Sequence, residues 1–166
     1  MSKSPLPRPT LKPEPGWQEF DIPAELGFGP SFVSGEADTD RLRVCYFVQS
    51  DDRRLVGKAW FGPGTQGPPG HAHGGSISAL LDEAMGISAW VAGYAVVAAR
   101  ITVNFREMLP LGTEVQFAAG IAGVDGRKIL TEGRLFGSDG TRFADADALF
   151  IQIDRKRFHQ MVSSRP

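Results

Sequence analysis

Residues 70–93, GHAHGGSISALLDEAMGISAWVAG, decide the fold that this chain is predicted to adopt. Apolar or small side chains recur there three and four positions apart: Ile77, Leu80, Leu81, Ala84, Met85 and Ser88. This spacing places one apolar stripe along a helix, and such a stripe packs against a hydrophobic core. We therefore expect one long helix around which the rest of the domain is organised.

The start of this helix is a candidate binding site for an oxyanion. Gly74 and Gly75 stand there, and the amides of a first helical turn have no acceptor inside the helix. The helix dipole also favours negative charge at this end, so we expect these two N–H groups to face a ligand oxygen. Ser76 follows without a GxSxG sequence around it, and a serine in this place is usually a cap.

Asp82 is the candidate catalytic carboxylate. At 100° per residue it lies beside the apolar stripe, and its neighbours on that flank are the small residues Ser78, Gly86 and Ala89. A carboxylate in such surroundings is poorly solvated, which raises its pKa and suits a nucleophile or a general base. The alternative is that Asp82 and Glu83 form the solvated strip of the helix.

Length and composition favour one globular domain. The chain has 166 residues, a formal net charge of −1 and a single cysteine. This length supports one core, the charge argues against a nucleic-acid partner, and one cysteine excludes an internal disulfide. The proline-rich start has no apolar run typical of a signal peptide, and Asp82 and Glu83 interrupt the long apolar segment. We expect a cytoplasmic protein without a membrane partner.

The remaining pattern predicts six strands and therefore an α+β domain. The alternating segments are RLRVCYFVQS, LVGKAWF, ITVNFRE, TEVQFAAGIAGV, RKILTEGRLFGS and TRFADADALFIQI. Two of them precede the helix and four follow in meander order, and tight turns such as Asp125-Gly126 require antiparallel pairing. One helix covers only one face of a six-stranded sheet, and the sheet edges need protection, so we expect dimerisation.

The chain is predicted to have three parts. Residues 1–40 form a Pro-rich extension that is extended or mobile at its start, with one option for a helical turn at residues 23–26. Its apolar anchors are Trp17, Phe20, Phe28 and Phe32. Residues 41–153 form the main domain, and residues 154–166 form a polar tail.

The segment GPPGHAHGGSISALLDEAMG resembles the HGG…LLD helix motif of hotdog-fold acyl-CoA thioesterases of the PaaI-like and THEM-type branch. VNFREMLPLGTEV and DGRKILTEGRLFGSDGTRFADADALFIQI are similar to later strands of that family, so the resemblance covers about residues 44–153. It implies a hotdog fold, in which the sheet wraps around the central helix. It also implies a homodimer or a dimer of dimers that hydrolyses acyl-CoA to free acid and CoA, with sites at the subunit interface.

The same resemblance implies roles for individual residues. Gly74 or Gly75, which follow the motif histidine His73, would donate a backbone N–H to the thioester carbonyl. Asp82 would be the nucleophile or general base and would act on a substrate held largely by the other subunit. His73 either holds the loop through a hydrogen bond to the backbone or transfers a proton. The substrate-binding candidates are Ser76, Ser78, Arg100 and Asn104.

The chain departs from the THEM-type pattern at Ala98. A threonine at about this place helps to position the attacking water in THEM-type members, and alanine has no hydroxyl. Either Ser78 or Thr102 supplies the hydroxyl, or hydrolysis is slower, or the chain binds acyl-CoA without hydrolysing it. A non-catalytic acyl-CoA-binding or regulatory module is therefore the alternative function. A hydratase fits poorly, because no histidine follows Asp82 before residue 159.

His71 and His73 form a His-x-His pair, which is a weak indication of a metal site. No third ligand follows with suitable spacing, so we expect neither a metal nor a cofactor. Candidates for contact with the CoA phosphates are Arg100, Arg106, Arg127, Lys128, Arg155, Lys156 and Arg157. The sequence does not choose among them.

Overall fold

The computed structural model describes residues 6–20, residue 22 and residues 31–163. The strands are β1 (Trp17–Glu19), β2 (Leu42–Gln49), β3 (Leu55–Phe61), β4 (Val96–Phe105), β5 (Glu114–Asp125), β6 (Lys128–Gly137) and β7 (Arg142–Gln152). The α-helices are α1 (Gly74–Val91) and α2 (Arg155–Ser163), and Pro63–Thr65 form a short 3-10 helix. All strands pair antiparallel in one sheet of order β1-β2-β3-β5-β6-β7-β4, and α1 packs on β3 to β7.

The predicted α+β architecture, an antiparallel sheet around one long helix, is confirmed, but the sheet has seven strands instead of six. The additional strand is β1, which pairs with β2 and is only three residues long. The predicted meander order is wrong for β4, because this strand pairs with β7 at the far edge and not with β5. The non-regular segment between β4 and β5 lets the chain pass β7 and β6, so that β5 lies beside β3 in the middle of the sheet.

Close contact between α1 and the sheet depends on a glycine in β6. A Cβ at Gly133 would lie 3.2 Å from Met85 Cγ and 3.3 Å from Leu81 Cδ2. Both of these side chains belong to the predicted apolar stripe and are fully buried. The stripe therefore faces the inner side of the sheet, as its periodicity predicted.

The N-terminal segment covers part of the outer side of the sheet. Residues 6–14 contain no helix or strand, and the Glu14 carboxylate lies 2.6 Å from Nζ of Lys58 on β3. Among the predicted anchors, Trp17 packs against Phe47 on β2, whereas Phe32 is 91% exposed and the neighbouring Val33 is buried instead. Phe28 and the predicted turn at residues 23–26 lie outside the described residues.

The predicted polar tail contains helix α2, which packs on the end of α1. The Phe158 ring lies 6.2 Å from the Trp90 ring, and the Arg155 guanidinium lies 5.6 Å from the same indole. This contact gives an amphipathic tail a defined place against the domain. In the part of the chain that the structure describes, no helix is both long and apolar enough to cross a membrane.

Candidate active site

The first turn of α1 is capped by the side chain of His73. Its Nδ1 accepts the Gly75 N–H at 2.8 Å, and its carbonyl oxygen accepts the Ser76 N–H at 3.0 Å. The preceding loop fixes His73 in turn, because its own N–H donates to Thr65 O at 2.7 Å. These bonds agree with the reading in which His73 holds the loop. They also leave the Gly74 N–H without an acceptor among the described residues.

Asp82 lies two turns further along α1 in a half-buried position. Its Oδ1 atom is inaccessible to solvent and has no hydrogen-bond donor among the residues described. Burial, and secondarily the neighbouring charge of Glu83, raises the pKa of the Asp82 carboxyl above its usual value. Asp82 is therefore not part of a solvated strip. Its environment is the apolar one that the flanking small residues predicted.

Glu83 has the opposite environment, because both of its carboxylate oxygens accept hydrogen bonds. The Tyr46 hydroxyl donates to Oε1 at 2.7 Å, and the Ser31 hydroxyl donates to Oε2. Burial and the charge of Glu83 raise the pKa of Tyr46 well above its usual value. No local sequence pattern predicts this network, since its members come from β2, from α1 and from the segment before β2.

Two neighbouring cavities contain the candidate groups. One, of about 530 Å³, lies at the helix start and is lined by His73, Gly75 and Ser76. The other, of about 590 Å³, contains Asp82. Ser31, Phe32 and Val33 line both cavities and so form the wall between them. Within one chain, the helix start and Asp82 thus face separate spaces.

The structure places Ala98 beside Asp82, in the same cavity. The pairing of β4 with β7 shifts after Ala98, which leaves Ala99 as the extra residue of a bulge. Ala98 lies opposite Phe150, so its methyl group faces α1. The position at which the resemblance implies a threonine therefore has a methyl group and no hydroxyl in this chain.

Two hydroxyls, those of Ser78 and Thr102, are the predicted substitutes, and each is either engaged or distant. Ser78 donates to Gly74 O at 2.9 Å, within the helix, and Ser76 donates to His73 O at 2.7 Å. Thr102 pairs with Asp147, and this register turns it to the outer face of β4. Neither proposed substitute lines the cavity of Asp82 in its own chain.

Three of the four predicted substrate-binding residues, Ser78, Arg100 and Asn104, line neither cavity of their own chain. Arg100 and Asn104 are on β4, opposite Leu149 and Asp145, on the face that points away from α1. Asn104 Nδ2 donates to Asp145 Oδ1 at 3.0 Å. Any contact of Arg100 or Asn104 with substrate therefore requires a second chain or a ligand that extends around the sheet.

His71 is held by the loop rather than by other candidate metal ligands. Its Nδ1 lies 2.9 Å from Pro69 O. Among the described residues, no group of three His, Cys, Asp or Glu side chains is placed to hold a metal ion.

Asp82→Asn is expected to stabilise the fold at neutral pH. Because the folded state raises the pKa of Asp82, the ionised form is disfavoured there, and stability falls as the pH rises from the usual aspartate pKa through the raised value. Removing the charge should add about 1 kcal/mol at pH 7, or about 2–4 °C in Tm. Thermal unfolding at several pH values should show this gain shrinking towards pH 4. A variant that is less stable at pH 7 would contradict the prediction.

Comparison with known proteins is consistent with this geometry. Residues 69–144 match the sequence model of the family described as thioesterase superfamily. Over 113 residues the chain is 33% identical to acyl-coenzyme A thioesterase THEM4 of Xenopus laevis, an alignment that covers 68% of this chain and 51% of THEM4. The chain thus spans about half the length of the curated relatives that it matches.

Solved structures show the same fold. A thioesterase superfamily protein of known crystal structure is 32% identical, with a TM-score of 0.61, over 66% of this chain and 54% of that one. The E. coli PaaI protein has a TM-score of 0.61 at 16% identity, over 67% of this chain and 80% of its own, and supports the fold alone. Family model, helix motif and sheet topology agree, and the chain belongs to the hotdog-fold thioesterase superfamily.

Proposed function

We propose that this chain hydrolyses acyl-CoA thioesters to a free acid and CoA. The observation that carries the proposal is Asp82, a half-buried carboxylate with one oxygen that has no hydrogen-bond donor among the described residues. It lies in a cavity with apolar walls, on the same helix as the Gly74 amide, which has no acceptor among those residues. A half-buried carboxylate without a hydrogen-bond donor costs stability, and such groups cluster at functional sites. The name of the THEM4 relative specifies the thioester as that of coenzyme A.

The proposed mechanism uses the two ends of the helix motif. The Gly74 N–H and the helix dipole stabilise negative charge on the thioester oxygen. Asp82 takes a proton from water while the water oxygen bonds to the carbonyl carbon. The C–S bond then breaks, and the protonated Asp82 gives that proton to the departing CoA sulfur. Direct attack by Asp82 would instead form an anhydride that water opens. His73 keeps the first turn in place through Gly75.

We propose that the protein works as a homodimer, or as a dimer of dimers, through the edge of β4. No strand of the described part of the chain pairs with the outer edge of this ten-residue strand, whereas β1 protects the opposite edge of the sheet. Three large apolar side chains on or next to β4 are exposed: Val97 by 45%, Phe105 by 55% and Met108 by 58%. An open edge with exposed apolar residues is typical of strand pairing between chains.

This edge also borders the candidate groups. A Cβ at Gly74 would lie 3.1 Å from the Phe105 ring, and Ala98 lines the cavity of Asp82. A second chain paired along β4 would therefore reach both the helix start and the carboxylate cavity. We infer that the amide of one chain and the acid of the other act on one thioester. The free thiol of Cys45 fits a reducing cytoplasm, which is the compartment that we propose.

The test is a panel of acyl-CoA esters, with release of the CoA thiol followed optically. Turnover by the wild-type chain and its loss in Asp82→Asn support hydrolysis. Tight binding of the esters without thiol release would instead support the binding module, for which the missing hydroxyl at Ala98 is the observation in favour. If the chain neither binds the esters nor releases thiol from them, the proposal is overturned.

Ala98→Thr is expected to raise kcat. The new hydroxyl would stand in the cavity of Asp82 and could hold the attacking water, a positioning effect that is worth up to about 10²-fold. The measurement is thiol release at saturating acyl-CoA, with Ala98→Val as the control of similar shape that has no hydroxyl. If threonine and valine give the same kcat, water positioning at residue 98 does not limit the reaction.

A further inference from the structure

The segment immediately before residue 36 forms a closed turn with Phe32 at its tip. The Ser31 hydroxyl accepts the N–H groups of Val33 at 3.1 Å and Ser34 at 3.3 Å, and Ser31 O accepts the Gly35 N–H at 3.0 Å. Val33 enters the core, and the Phe32 ring remains outside it. The turn therefore presents one aromatic ring from a fixed backbone.

Glu83 binds this turn to helix α1 through a hydrogen bond. Its carboxylate accepts the Ser31 hydroxyl on one oxygen and the hydroxyl of Tyr46 on the other. Tyr46 is buried in β2, so the carboxylate is itself held from the sheet side. Because Glu83 directly follows Asp82, the position of the turn is tied to the position of the candidate catalytic carboxylate.

The walls of the Asp82 cavity suit an apolar part of a ligand. The cavity of Asp82 has large apolar side chains on its walls, namely Val33, Ile87, Trp90 and Phe150. The cavity at the helix start has a mixed lining, with Leu42 and Ala79 beside polar residues such as Thr39 and Arg41. A thioester whose carbonyl carbon lies at Asp82 would place its acyl group against the apolar walls of the Asp82 cavity.

We propose that Phe32 is the residue that sets the size of the acyl group, as the wall that closes the Asp82 cavity. This inference rests on the proposed function. Glu83 is a positioning residue, which acts through Ser31 and Tyr46 to hold that wall. The preferred substrates are CoA esters of apolar acyl groups of intermediate size, because a cavity of about 590 Å³ is in the range that holds small organic ligands. An acyl group in this cavity removes the exposed Phe32 ring from water.

Phe32→Ala removes the aromatic ring from the wall of the Asp82 cavity and should change the preference among acyl-CoA esters. For the ester that the wild-type chain prefers, we expect kcat/KM to fall about tenfold, because a lost apolar contact discriminates by about 10- to 200-fold. For esters with longer or bulkier acyl groups, kcat/KM should fall less or should rise. Leu130→Ala is the matched control, since Leu130 is also exposed but lines neither cavity.

The positioning role of Glu83 is tested with Tyr46→Phe and Ser31→Ala, each of which removes one donor to its carboxylate. Each variant should shift the ratio of kcat/KM between large and preferred esters in the same direction as Phe32→Ala, by a smaller factor. If the role is merely structural, the fraction of folded protein falls and kcat/KM decreases by the same factor for all esters. The ratio therefore separates the two roles.

Binding of the same esters is measured alongside hydrolysis, so that failure of the proposed function does not hide the result. If the wild-type chain binds esters without releasing thiol, the ratio of their dissociation constants should still shift in Phe32→Ala. An unchanged ratio in both hydrolysis and binding would overturn the role of Phe32 and leave hydrolysis through Asp82 untouched. If the ratio between large and preferred esters changes in Phe32→Ala but not in Tyr46→Phe or Ser31→Ala, the role of Phe32 stands and the role of Glu83 is overturned.

Discussion

Asp82→Asn is expected to lower kcat for acyl-CoA hydrolysis by about 10²- to 10⁴-fold while the chain stays folded. The amide has nearly the same shape as the carboxylate, but it cannot take a proton from water or attack a carbonyl carbon. The measurement is thiol release at saturating substrate, and thermal unfolding shows that the variant is folded. Because burial disfavours the ionised carboxylate, this variant should lose turnover and gain stability together.

Asp147→Asn is the matched control for this experiment. Asp147 is exposed on the face of β7 that points away from α1, so the same chemical change there should alter neither kcat nor Tm appreciably. Turnover of Asp82→Asn within about twofold of the wild-type value would remove Asp82 from the mechanism. The proton acceptor would then have to come from another group in the cavity or from the partner chain.

Local periodicity explains why the helix and six strands could be predicted from the sequence. The apolar stripe of α1 and the alternation along β5 to β7 are set by neighbours within a few residues. The place of β4 could not be predicted in this way, because its partner β7 lies more than thirty residues further along the chain. Pairing between distant strands depends on the whole sheet, and the alternation of one strand does not specify it.

The candidate site shows the same limit at the level of single residues. The poor solvation of Asp82 could be predicted, because its place beside the apolar stripe is set within its own helix. The environments of Gly74 and Gly75 could not be distinguished, since only the folded loop places the His73 imidazole on the Gly75 N–H. Glu83 and Phe32 were missed as parts of the site for a similar reason. Their contacts join β2, α1 and the segment before β2.

Separating the two chains of the proposed dimer should remove activity without altering either cavity. The variant Val97→Lys with Met108→Lys places charges on the exposed apolar edge of β4, where they meet in a symmetric pair of strands. We expect a monomer in analytical ultracentrifugation and a fall in kcat/KM of about 10²-fold, because each site loses the group that the other chain supplies.

The control is Val124→Lys with Leu130→Lys, which makes the same charge change at two exposed apolar positions on β5 and β6. It should leave both the dimer and its turnover unchanged. If the β4 variant is a monomer with full activity, one chain holds the whole site, and the Gly74 amide and Asp82 act on the substrate from the same helix. If it remains a dimer, the interface lies elsewhere than β4. Full activity in a dilute monomer would contradict the shared site directly, because no partner would then be present to complete it.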